Sequence, residues 1–249
     1  MRKYTLIKDK IDPRDLKYRQ RHIVNVELLP GKIDLREKCS PVVDQGQLGS
    51  CTANAIVSGL REFMLLNNSS RKPFERLSRL FLYWWERYLE GTINSDSGAS
   101  LRDGMKVLKQ KGVCREVSWP YDITTFENSP TQNEIIEAND YIISGYQRIR
   151  SVNEVKHALL LSHLLVFGMT VYQSFESVGN DGIVPIPKTE EKQLGGHALC
   201  IVGYDDNINN GSFIVRNSWG ETWGDSGYCY MPYSMFKSIF DIWTVKLGE

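Results

Sequence analysis

A glycine-punctuated turn that runs straight into a helical pattern constrains this chain more than any other stretch. It reads Gln45-Gly46-Gln47-Leu48-Gly49-Ser50-Cys51-Thr52-Ala53. After Cys51, small and apolar residues recur at Ala53, Ile56, Val57, Leu60, Phe63 and Met64, the period of a helix with one buried stripe. A helix opening at Ser50 or Cys51 puts the thiol in its first turn, where unpaired N–H groups and the helix dipole favour a thiolate. Gly46 and Gly49 allow a tight backbone fold in front of that helix end. Gln45 can return its side-chain amide to the mouth of the turn and donate to a developing oxyanion. A lone cysteine at a helix start is more often a small buried hydrophobe, so the turn alone decides nothing.

Two later segments change that balance. Gly195-Gly196-His197-Ala198-Leu199-Cys200-Ile201-Val202-Gly203-Tyr204 sets a histidine at the head of an apolar strand. Phe213-Ile214-Val215-Arg216-Asn217-Ser218-Trp219-Gly220 ends a second strand in an asparagine, and Trp223-Gly224 and Gly227-Tyr228 follow. In their order and spacing these three blocks resemble the papain-like cysteine peptidases. The resemblance implies an α+β fold of two lobes, one helical and one an antiparallel β-barrel-like lobe, with the active-site cleft between them. It implies Cys51 as nucleophile, His197 as base, Asn217 as the residue orienting the imidazole, and Gln45 as the oxyanion-hole side chain. Trp219 is then expected over the His197–Asn217 bond. Gly98, Ala99, Gly196, Ala198, Trp219, Phe240 and Asp241 become candidate substrate-binding positions, with Phe240 or Asp241 at the pocket floor. The implied activity is endopeptidase hydrolysis through an acyl-enzyme thioester, on a peptide or protein substrate. A thiol amidase or acyltransferase with the same triad, or a silent peptide-binding protein, are the alternatives.

Composition excludes several other classes. Thirty basic residues balance thirty acidic ones, so no global field recruits nucleic acid or anionic lipid. No apolar window reaches membrane-spanning length, and Met1-Arg2-Lys3-Tyr4-Thr5 lacks the apolar core of a secretory signal. The five cysteines, Cys39, Cys51, Cys114, Cys200 and Cys229, have no zinc-type spacing, so neither metal nor other cofactor is expected. Secreted members of the resembled family usually carry a cysteine three residues before the nucleophile, where this chain has Leu48. That departure favours a reducing, cytoplasmic setting and a monomer that folds without disulfides.

Taken in order, residues 1–30 read as an N-terminal extension and possible short pro-segment, residues 31–125 as the helical lobe and residues 126–249 as the β lobe. Helices are expected from Cys51 to about Leu66, from Leu77 to Leu89 with Gly91 as stop, from Ser100 to Gly112, and from Ser151 to Leu161. Strands are expected near Tyr141–Ile149, Leu164–Val171, His197–Tyr204, Ser212–Ser218 and Gly227–Met231. Two roles suit the extension. Its alternating Val24, Val26 and Leu28 can cover a sheet edge, the plainer expectation, or part of it can lie extended in the cleft and limit access to Cys51.

Overall fold

The computed structural model describes residues 2–18, 29–68 and 73–246. Val24 to Leu28 therefore lie outside the described residues. The central helix covers residues 51–66: one α-helical turn (Cys51–Ala53), a wider-wound stretch (Asn54–Arg61) and a closing α-helix (Glu62–Leu66). Apart from the half-exposed Met64 and Leu66 it is buried throughout, as a helix packed on both flanks must be. Gly59 sets how closely it approaches the sheet, because a Cβ there would stand 2.8 Å from the Cβ of Cys200. An aromatic-rich helix, Arg79–Glu90, starts where the Ser78 side chain accepts from the Phe81 N–H and ends on Gly91 at φ 72°. Ser100 caps the helix Leu101–Gln110 in the same way through the Asp103 N–H.

Among the described residues, seven antiparallel strands make the second layer: β1 (Lys32–Asp34), β2 (Gly145–Arg148), β3 (Leu165–Tyr172), β4 (Gln193–Asp205), β5 (Ser212–Arg216), β6 (Tyr228–Pro232) and β7 (Ile239–Lys246). The order is β2-β7-β3-β4-β5-β6, with β1 added to the far end of β4. The fold is thus α+β, as expected. Two details differ from the sequence reading. Lys32–Asp34 falls in the half expected to be helical but pairs with Tyr204 and its neighbours in the sheet. The stretch Tyr141–Ile149 gives only the short β2, preceded by a helical turn over Asn139–Tyr141.

β4 is the strand that matters most for function. Its near end pairs with β3, setting His197 opposite Met169, and its far end pairs with β5, whose last residue, Arg216, immediately precedes Asn217. Arg216 is buried and donates to the carbonyls of Ser40 and Pro41, so the segment leading to Gln45 is tied to the end of β5. The core is continuous across helices and sheet, running from Ile56 and Phe81 to Phe167, Phe213 and Trp243.

Candidate active site

The helix end carrying Cys51 rests against β4. The turn before it is held by local chemistry: Asn54 Nδ2 donates to the Ser50 carbonyl at 2.9 Å, and the Ser50 hydroxyl meets the Tyr121 hydroxyl at 2.6 Å. On the facing wall, His197 Nε2 lies 2.9 Å from Asn217 Oδ1, which also accepts the Ser218 N–H at 2.8 Å. Trp219 stacks on the imidazole, with ring centroids 4.8 Å apart and 27° between the planes. Phe175 and Trp223 pack edge-on against the Trp219 ring and complete an apolar cover over the His197–Asn217 bond. His197 Nδ1 and Asn217 Nδ2 are buried with no hydrogen-bond partner.

Gln45 belongs to the same block. Its backbone N–H donates to the Ser218 carbonyl at 2.9 Å and its side-chain oxygen accepts from the Ser218 hydroxyl at 2.7 Å. Its Nε2 donates to the Leu48 carbonyl at 3.0 Å, which leaves one N–H of the amide for a further acceptor. Ser218 was not singled out from the sequence as a holder of Gln45, yet its place beside Asn217 in the asparagine-serine-tryptophan block was the available signal.

The N-terminal segment occupies the cleft. Leu6 donates its N–H to the Gly196 carbonyl at 3.1 Å, and Ile7 to the Ala99 carbonyl at 3.0 Å, so the chain bridges both walls. Both pairings, Thr5 with Gly196 and Ile7 with Ser100, are parallel. Gly98 is required at this crossing: it sits at φ +75°, and a Cβ would fall 1.9 Å from the Thr5 carbonyl oxygen. Leu6 reaches the space around Gly168, where the Phe240 ring also lies. Asp241 does not line an open floor; it accepts the Asp9 N–H at 2.7 Å and pairs with Arg148 at 2.9 Å. Ala99 and Ala198 are buried beneath the segment. The sequence reading favoured a sheet-edge role for the extension, drawn from Val24 to Leu28. The stretch found in the cleft is Arg2 to Asp9 instead, whose polar, unpatterned sequence gave no periodic signal.

Under this cover the thiolate that the helix end favours is opposed by burial. Burial pushes the Cys51 thiol up to about 12, against the smaller opposing pull of backbone N–H groups from Ala198, Thr52 and Cys51 itself. Burial likewise lowers His197 to about 4; its bond to Asn217 works the other way, and the nearby Arg2 adds to the lowering. Both groups are therefore neutral in the covered site. All five cysteines are free. Among the described residues no group of acidic, histidine and cysteine side chains is arranged to hold a metal, and no helix is long and apolar enough to cross a membrane.

The fold has counterparts among known proteins. A family profile described as papain family cysteine protease matches residues 29–238. An uncharacterized peptidase C1-like protein of Acanthamoeba polyphaga mimivirus is 38% identical over 98% of this chain and 87% of its own length. Peptidase 1 of the mite Dermatophagoides farinae is 29% identical over 83% of this chain, which spans 62% of that relative. Among solved structures, xylellain, a cysteine protease from Xylella fastidiosa, superposes with a TM-score of 0.90 at 36% identity, covering 100% of this chain and 98% of that one. Digestive procathepsin L 3 of Tenebrio molitor shares the fold with a TM-score of 0.71 at 19% identity, covering 94% of this chain and 75% of that one.

Proposed function

Because the chain belongs to the papain family of cysteine proteases, we propose that it is an endopeptidase acting through Cys51, His197 and Asn217, and that residues 2–9 hold it latent. The observation that carries the catalytic part is the His197 Nε2–Asn217 Oδ1 contact of 2.9 Å beneath Trp219. It fixes one ring nitrogen and leaves Nδ1 as the one that exchanges a proton with the thiol.

Acylation then runs as follows. When the segment leaves, water returns to both walls, the burial that holds Cys51 and His197 neutral is relieved, and the proton passes from thiol to imidazole. The thiolate attacks the scissile carbonyl, and its oxygen is received by the Cys51 N–H and the free N–H of Gln45. His197 protonates the leaving amine, and afterwards takes a proton from the water that hydrolyses the thioester. Extended substrate would replace the segment's main-chain bonds to Ala99 and Gly196. The cleft admits chain on both sides of the nucleophile, as the passage of Arg2 to Ile7 illustrates, and this supports internal rather than terminal cleavage.

The test is hydrolysis of peptides blocked at both ends. Cys51→Ala and His197→Ala should each abolish turnover while melting stays near that of the parent. Residual turnover in Cys51→Ala would sink the assignment, and turnover restricted to peptides with a free terminus would remove the endopeptidase reading.

A further inference from the structure

Asp96 stands at the edge of the site and has no part in the catalytic scheme. Its carboxylate is held on the wall beside the nucleophile turn. Oδ1 accepts the Gly49 N–H at 2.9 Å and the Tyr83 hydroxyl at 2.6 Å, and Tyr83 is wholly buried. The Tyr83 hydroxyl in turn accepts the Gly98 N–H at 3.2 Å, so one small network ties the Gly49 turn to the Gly98 wall. Burial raises the Tyr83 phenol well above its ordinary range, with the bond to Asp96 adding to the rise, so it stays a neutral donor. The side chain of Asp96 is only 8% exposed.

The other oxygen faces the cleft. Oδ2 receives a longer contact of 3.1 Å from the Gly49 N–H and a 2.6 Å ion pair from Lys3 of the N-terminal segment. Among the described residues Lys3 is the one cation within ion-pair distance of Asp96. Arg87, the next basic group nearby, spends its guanidinium on the carbonyls of Ile93, Ser95 and Phe126. When the segment leaves, a fixed carboxylate oxygen therefore remains, aimed into the cleft beside Gly49, two residues before Cys51, and without its Lys3 partner. A fixed anion of this kind prefers a positively charged partner and disfavours an acidic one.

Which substrate residue it meets follows from the chemistry of the two walls. The leaving amine must lie toward its proton donor, His197, so the acyl half of the substrate lies toward the opposite wall of Gly49 and Gly98. We propose that Asp96 is a specificity-determining residue, and that its Oδ2 takes the ammonium or guanidinium of a substrate lysine or arginine at the residue supplying the scissile carbonyl. Lys3 occupies that place in the latent protein. The inference rests on the peptidase reading above and names the substrate class of the same site.

The experiment uses the full chain and two otherwise identical blocked peptides, with lysine or glutamine at that residue. The ratio of their kcat/KM values does not depend on how much of the protein is open, so latency does not disturb it. A lysine preference of about tenfold is expected, the size suited to a charge-assisted but partly hydrated pair. Asp96→Asn, which keeps an oxygen for Gly49 and Tyr83, should bring the ratio to about one. Raising salt from 0.15 to 1 M should shrink the preference in the parent protein, a readout that needs no variant. Equal turnover of both peptides by the parent, or a preference untouched by Asp96→Asn and by salt, would overturn the inference while leaving the peptidase reading intact. Failure to cleave either peptide, with no attachment to Cys51 of a vinyl-sulfone probe bearing either residue, by the full chain and by an Asp9→Ala variant that loosens the segment, would overturn the peptidase reading and this inference with it.

Discussion

Latency should depend on Asp9, and the size of the effect follows from its contacts. Its side chain is fully buried and accepts the Arg102 N–H at 3.0 Å, the Trp243 indole N–H at 2.9 Å and an Arg148 guanidinium N–H at 3.0 Å. Hydrogen bonds to a charged acceptor contribute about 1.5–3 kcal/mol each, a gross sum of several kcal/mol. Against this stands the burial of the carboxylate and its repulsion by Asp241, which together push the Asp9 carboxyl above its ordinary range. A net docking contribution of about 2 kcal/mol remains, equivalent to about a 30-fold change in the open fraction. Asp9→Ala alters only the segment and leaves Arg102, Arg148 and Trp243 in place. Alkylation of Cys51 by iodoacetamide at neutral pH, followed by intact mass, should therefore accelerate about 30-fold. A rate within threefold of the parent would refute the reasoning, and with a lowered melting temperature it would make Asp9 a structural contact only.

Two stability predictions come from the helical side. Burial, with repulsion from Asp103, raises the Glu90 carboxyl to about 7 although the Ser100 N–H bond favours its charged form. A folded value above the unfolded one gives stability that is fully present below about 4.5 and lost as pH rises through 7, so melting should fall between pH 5 and 8. Glu90→Gln should flatten that slope by about 1–2 kcal/mol after allowance for partial exposure; an unchanged slope would remove Glu90 as its source. Gly104→Ala would ordinarily strengthen a helix, but here the added Cβ would stand 2.3 Å from Glu86 Oε1 and 2.4 Å from Ile56 Cδ1. Calorimetry should show a loss of about 1–2 kcal/mol, a fall of roughly 2–8 °C, and a rise would mean that the buried Glu86 yields freely.

What the sequence made legible was local chemistry. Ser100 with Asp103, Ser151 with Glu154, and Gly91 announce helix ends because caps satisfy backbone groups within a few residues. Cys51, His197, Asn217, Gln45 and Trp219 could be read because three short blocks carry them, and the structure brings the last four into one network. What escaped is non-local. β7, buried along nearly its whole length, offers no alternation, and its pairing with both β2 and β3 is made across about 70–100 residues. The clasp of Asp9 and Asp15 with Arg102, Arg148 and Asp241 joins four distant stretches of chain, none of which has an unusual pattern by itself. Charge state also depended on the whole molecule. The helix end favours a thiolate, whereas the covering segment removes the water that a separated charge needs.

As proposed, Cys51 acts as a nucleophile activated by His197 once the segment moves aside. This role is tested most directly by the mass and site of attachment of a peptidyl vinyl-sulfone probe, in Asp9→Ala and in the same variant carrying His197→Ala. A single adduct is expected, mapped to Cys51 by peptide sequencing, that forms about 100-fold more slowly without the imidazole. Attachment to another cysteine, or attachment to Cys51 at the same rate with and without His197, would contradict that role.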